Sequence, residues 1–308
     1  MPLSAGGLRL RKPRTVDLPR ASDRVTYLFL DLVRIEQDQT GVIATWGSGE
    51  SLSIPLSSLG VLMLGPGVSI TAPAISTAGR SGCSIVFTDS IGASSYAAAR
   101  PLSSRSSWLQ AQARVWASPE LRVRAAYSLY ADRFSGIDLP GNAPLKVLRG
   151  IEGRRVRDEY QLLAAEYKLS NWRRESDSSK STDGVNPLLN IGNAILYGVA
   201  LTACNAIGLA PGLGIVHQGS ASALLFDLAD SYKRKCVMPA AFLVGSTSNS
   251  IPEFRNIVRK KIFDNKVLDG MLELSDLLFG DHVQSAESDT LLDETTQVPG
   301  HLNYHKVE

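Results

Sequence analysis

GLGIVHQGSASALLFDLAD, residues 212–230, runs from a glycine-rich apolar approach into His217, turns at Gln218–Gly219–Ser220, and continues as a helix carrying Asp227 and Asp230. Ser220 is placed to cap that helix, because a serine hydroxyl satisfies one of the unpaired first-turn N–H groups. On a helical wheel the two acids lie opposite Leu225, Leu228 and Tyr232, which fits solvated carboxylates on an outer face. Together with His217 they also form the nitrogen and oxygen donor grouping that a divalent metal uses. Residues and spacing leave both readings open.

Upstream of this stretch the chain is helical. Residues 188–209 form its most apolar segment, but Asn190, Asn193 and Asn205 interrupt it. A buried core helix is the expectation there, not a membrane span. The preceding NWRRESDSSKSTDG, residues 171–184, reads as a polar, mobile loop. Residues 148–169 read as a helix whose apolar stripe is Val156, Tyr160, Leu163 and Tyr167. The helical period puts Glu152 on that same stripe, where a carboxylate is costly without a partner. Arg149 and Arg155 are its near neighbours in sequence. Residues 104–117 and 119–134 carry aromatic and aliphatic residues at helical spacing.

Residues 25–64 are β-like, with VTYLFLDLVRI, TGVIATWG, SLSIPL and GVLMLG separated by glycine, proline and polar breaks. A short helix at 72–79 and strands at CSIVFTDS and around Tyr96 complete this part. The GPG of residues 65–67 is a turn, without the lysine and spacing of a phosphate-binding loop. Downstream, residues 251–278 read as one or two helices, basic in the first half at Arg255, Arg259, Lys260 and Lys261. The division is therefore a flexible basic arm (1–22), a β domain (23–100), a helical domain (101–280) and a polar acidic tail (281–308). The fold class is α+β: an N-terminal β-rich domain followed by a larger, all-α domain.

With 308 residues, 44% of them hydrophobic, the chain can bury a large core. A net charge of +2 is too small to argue for a nucleic-acid partner. Its distribution says more, since residues 100–180 hold fifteen Lys and Arg against nine Asp and Glu. Such a block suits a polyanion or a solvated helical surface. Cys83, Cys204 and Cys236 have neither paired nor metal-like spacing, and the basic N-terminus has no apolar run after it. A reducing, cytoplasmic setting is expected. His301 and His305 are four apart but sit in the acidic tail without apolar periodicity. No GxSxG elbow is present.

Taken in order, SDRVTYLFLDLVRI, LMLGPGVSIT, LRGIEGRRVRDEY, NAILYGV and GIVHQGSASALLFDLADSYK resemble the CRISPR-associated integrase family, the Cas one proteins, in its subtype I-E branch. The resemblance runs from about Asp23 to about Lys266. It implies a β domain followed by a helical domain with a metal site for Mg²⁺ or Mn²⁺. The family's catalytic and metal-binding glutamate, histidine and aspartate match Glu152, His217 and Asp230. Asp227, Tyr197 and Lys233 match positions near that site. Arg255 and Arg259 match a helix that touches DNA.

The implied activity is joining of prespacer DNA 3′-hydroxyl ends to the CRISPR array at repeat borders. The implied partners are DNA, a second copy of the chain and the small second Cas protein. A metal-dependent endonuclease acting on branched DNA and a non-catalytic DNA-binding scaffold are the rival expectations. Two departures concern the DNA ends: ESDSSKSTDG has no aromatic residue, and Leu32 stands where some members carry an aromatic wedge.

Overall fold

The computed structural model describes residues 25–39, 41–90, 92, 95–99, 106–134, 143–177, 183–283, 290–293 and 296–299. The N-terminal arm and the histidine pair His301 and His305 lie outside the described residues. So do residues 178–182 of the polar loop.

The first part is two stacked four-stranded sheets. One contains β1 (Val25–Leu30), β5 (Leu59–Leu64), β7 (Ser84–Thr88) and β8 (Ser95–Ala99), in that order. β1, β5 and β7 run parallel, and β8 joins β7 antiparallel. The other sheet is ordered β4 (Ser51–Ile54), β3 (Val42–Trp46), β2 (Val33–Gln37), β6 (Ser69–Ile70). Helix α1 (Ala72–Arg80) closes the space between them through Ala74 and Ala78.

β5 is buried along its whole length, and its period of two explains why. Leu62 and Leu64 point into the core between the sheets. Val61 and Met63 point the other way, into the core shared with the helices. A continuous apolar run is what a strand covered on both faces requires. β1 divides likewise: Leu30 faces the sheet core and Tyr27 the helices. The GPG segment is a turn, with Gly67 at φ 75° and the Leu32 N–H donating to Pro66 O at 3.1 Å.

The helical part contains α2 (Ser107–Ala117), α3 (Pro119–Arg133), α4 (Leu145–Glu166), α5 (Val185–Ile207), α6 (Ala223–Tyr232), α7 (Met238–Gly245), α8 (Ile251–Asp264) and α9 (Val267–Phe279). α5 is the central rod. It is long and apolar enough to cross a membrane, yet 72% of its most apolar window is buried inside the protein. Two of the asparagines that interrupt it have side-chain partners: Asn205 Nδ2 donates to Ser84 Oγ at 3.0 Å, and Asn190 Oδ1 accepts from Arg174. A Cβ on Gly192 would fall 2.4 Å from Val237 Cγ1, so only glycine lets α5 approach so closely. The 251–278 region is two helices because Lys266 adopts φ 47°, which breaks the ladder.

Two parts differ from the sequence expectation. The 171–184 loop is anchored in its first half. Trp172 packs edge-on against Phe242 at 4.7 Å between centroids, and Asn186 Oδ1 accepts from Arg174 and from the Glu175 N–H. Its one large aromatic and an arginine outweigh the polar composition that suggests mobility. The acidic tail carries a two-stranded sheet, β9 (Thr290–Asp293) with β10 (Thr296–Pro299), antiparallel with Leu292 opposite Gln297. Its β-prone residues are few and short, so the polar average hides them.

Candidate functional site

Asp227 is fully buried, contrary to the reading of both acids as solvated. Its Oδ2 accepts from the N–H groups of Ile215 (2.6 Å) and Val216 (3.1 Å), and Oδ1 accepts from His217 N (3.2 Å). The wheel misplaces it because its partners are main-chain donors of the approaching loop, not solvent. Asp227 Oδ1 also lies 2.8 Å from His217 Nδ1. An ionised carboxylate only accepts, so Nδ1 carries the proton and Nε2 presents a lone pair. That hydrogen bond, aided by the nearby charges of Asp227 and Asp230, holds the imidazole pKa above its ordinary value despite partial burial.

Ser220 does not cap α6. Its Oγ accepts from Ser222 N at 3.1 Å and closes the turn before the helix begins at Ala223. Main-chain acceptors take the first N–H groups instead: Ala223 N donates to Ser220 O, and Leu224 N donates to Pro211 O at 2.8 Å.

Glu152 does not pair with Arg149 or Arg155. Its partner is Arg133, the last residue of α3, whose Nη1 donates to Glu152 Oε1 at 2.6 Å. Arg155 instead donates to the Arg133 carbonyl at 3.2 Å and lies over the Phe134 ring. Arg133 Nη2 donates to the Asp227 carbonyl at 2.7 Å and lies 3.8 Å from Asp230 Oδ2. Its side chain is only 4% exposed, against 25% for Glu152, 20% for Asp230 and 40% for His217. Burial alone would ease its proton off, but Asp230, Glu152 and Asp227 outweigh that and hold it charged. Sequence reasoning missed Arg133; an arginine ending a helix, with no near acid to pair with on its own face, was the available signal.

Asp230 is shared. Its Oδ1 is 2.6 Å from Lys233 Nζ, and its Oδ2 is 3.8 Å from His217 Nε2. Lys233 also donates to Tyr197 OH at 3.0 Å. Burial lowers the lysine pKa, but Asp230 and Tyr197 more than restore it, so the ammonium is retained. A π-helical turn, Lys233–Val237, follows directly. Lys233 reaches back one turn to Asp230, and Arg234 pairs with Glu159 on α4. Glu152, Arg133, Asp230 and Lys233 edge a cavity of about 710 Å³, which Arg155, Tyr160, Arg174, Asn193 and Arg234 also line.

Thus Glu152 and His217 reach the same cluster from separate elements, linked through Arg133 and Asp230. Among the described residues no three His, Cys, Asp or Glu groups converge closely enough to enclose a cation. The donor set still suits one: a free imidazole Nε2 beside Asp230, and a second carboxylate, on Glu152, now held by a guanidinium. The other predicted residues lie apart from this cluster. Arg255 stacks on Phe29, 3.6 Å above the ring centroid, while its carbonyl accepts from Tyr27 OH at 2.9 Å. Arg259 is on the same helix and donates to Asn256 Oδ1 at 3.1 Å. Leu32 is 71% exposed at φ 51°.

A family model described as CRISPR associated protein Cas1 matches residues 137–246, from before α4 to just past α7. The CRISPR-associated endonuclease Cas1 of Clostridium sp. (strain SY8519) is 35% identical over 258 residues, covering 83% of this chain and 84% of that protein. The Escherichia coli (strain K12) protein of the same name is 31% identical over 267 residues, covering 85% and 87%. A crystal structure of a TtCas1–DNA complex superposes with a TM-score of 0.77 at 31% identity, over 90% of this chain and 99% of that one. The chain belongs to the CRISPR-associated endonuclease Cas1 family.

Proposed function

We propose that this chain is an integrase subunit of CRISPR adaptation, of the subtype I-E branch. It joins prespacer DNA 3′-hydroxyl ends to the CRISPR array at repeat borders by metal-dependent transesterification. The observation that supports the reading is that Glu152 and Asp230 line one cavity together with Arg155, Arg174, Lys233 and Arg234, while His217 Nε2 lies 3.8 Å from Asp230 Oδ2. Similarity over most of the chain to a protein seen in complex with DNA supports it.

In this reading His217 Nε2, Asp230 and Glu152 hold Mg²⁺ or Mn²⁺, and the imidazole suits Mn²⁺ at least as well as Mg²⁺. A divalent ion there supplies Lewis-acid stabilisation of the attacked phosphate and of the leaving oxygen. The chain's own residues do the rest. Asp227 fixes the His217 loop and the tautomer that leaves Nε2 free. Lys233, held by Asp230 and Tyr197, brings a retained ammonium to where negative charge grows. Arg155, Arg174 and Arg234 offer phosphate contacts that position DNA without reading its sequence. The new bond joins the prespacer 3′-oxygen to the phosphorus; the bond broken is to the 3′-oxygen of the repeat strand, which leaves as a hydroxyl. Arg255 and Arg259 extend the DNA contact along α8. The working assembly is a homodimer with the small second Cas protein.

A second reading is favoured by the endonuclease names of the relatives: the same residues with water as the nucleophile, cutting branched DNA. One assay separates the two. The protein and its small partner are incubated with a forked DNA fragment and a supercoiled repeat-containing plasmid, with and without Mn²⁺. Metal-dependent joined products support the integrase. Metal-dependent cleavage without joining moves the assignment to the nuclease, and DNA binding without either reaction would refute both.

A further inference from the structure

Arg133 occupies a position that neither the family's ligand set nor the sequence pattern assigns. Its guanidinium is almost wholly buried among three carboxylates, contributed by Glu152 on α4 and by Asp227 and Asp230 on α6. Around it the fixed charges are Glu152, Asp227 and Asp230 against Arg133 and Lys233, which leaves a single negative charge. Buried carboxylates this close repel one another unless a cation stands among them. The two ends of the guanidinium are held differently. Nη2 is anchored on a main-chain carbonyl, that of Asp227, which cannot move away without disturbing α6. Nη1 is held by Glu152, a partly exposed carboxylate on a separate helix. Arg133 Nε finds no acceptor among the described residues, so the side chain is positioned by its charge partners more than by a full set of hydrogen bonds.

We propose that Arg133 is the resident counter-charge of the site: a positioning residue that keeps Glu152 and Asp230 facing one point in the metal-free protein, and releases Glu152 when a divalent cation binds. This rests on Glu152, His217 and Asp230 being the ligands. Adding a divalent ion while Arg133 kept both grips would turn the cluster net positive, so the two cations exchange hold of Glu152. The two carboxylates are thereby held near one another before metal arrives, and binding costs one ion pair instead of the ordering of two free side chains.

Thermal unfolding of the full chain tests this, with EDTA or with saturating Mn²⁺ alone. In EDTA, Arg133→Gln is expected to melt about 6–12 °C below the wild type. Mn²⁺ is expected to raise the variant's melting temperature by more than it raises the wild type's, because the metal takes over the missing charge. Adding Glu152→Gln to Arg133→Gln is expected to recover part of the EDTA loss. If Arg133→Gln does not fold, Arg133→Lys carries the same comparison, with a smaller gap that Mn²⁺ closes. A variant as stable as the wild type in EDTA, or a gap that Mn²⁺ leaves unchanged or widens, overturns the proposal. An EDTA gap with no Mn²⁺ response in either protein removes the metal reading itself, and the exchange of partners with it.

Discussion

β5 and the Arg133 cluster are both buried where separate parts of the fold meet, and they are built from opposite materials. β5 joins two cores with Leu62 and Leu64 on one face and Val61 and Met63 on the other. Each side chain contributes by leaving water, and none needs a particular partner. The Arg133 cluster joins α3, α4 and α6 with charges, and each charge depends on the others. Removing one buried partner leaves an uncompensated ion, so the same volume of protein is far less tolerant there. Small changes of volume in the seam are expected to cost little, whereas displacement within the cluster separates paired charges. Resistance to displacement is the property a reaction centre needs.

Asp227→Ala should break this contrast most severely. It strands three main-chain N–H groups and His217 Nδ1 and removes one of the three carboxylates around Arg133, and is expected to cost about 3–5 kcal/mol in urea unfolding. Asp227→Asn, which keeps an acceptor, should cost less but weaken metal affinity by about 10–100-fold, read by calorimetric titration with Mn²⁺. On the apolar side, Met63→Ala should cost about 2–4 kcal/mol. Met63→Leu should cost less than about 1.5 kcal/mol, because the volume is nearly kept. Equal losses from the two Met63 variants would mean that the seam is as exacting as the cluster. Arg255→Ala is a smaller effect, about 1–2 kcal/mol of stability from lost stacking on Phe29. It should also reduce the slope of DNA affinity against salt by about one unit. Leu32→Ala, at an exposed turn, should change stability by no more than about 0.5 kcal/mol.

The same contrast explains what could be read from the chain. β5 was legible because its reasons are local: an unbroken apolar run between a proline-containing turn and GPG reads as a covered strand. α5 was legible through its length and apolarity, although only the structure shows Asn205 bonding Ser84 across 121 residues of sequence. His217, Asp230 and Glu152 were singled out through the family resemblance and through one acid on an apolar stripe. Arg133 was not, because its partners are 19 and 94 residues away and no helical period connects them. Asp227 looked solvated because a wheel shows only its own helix, whereas its partners are N–H groups of the preceding loop. The anchored start of the 171–184 loop was hidden for the same reason, since the ring that Trp172 packs against, Phe242, lies on α7.

The most direct measurement is strand joining by the wild type and by His217→Ala across a range of Mn²⁺ concentrations, with folding checked by circular dichroism. Wild-type joining is predicted to rise with Mn²⁺ and saturate, while folded His217→Ala joins at no concentration. Joining by the variant at the wild-type rate would contradict a centre built on His217, Glu152 and Asp230.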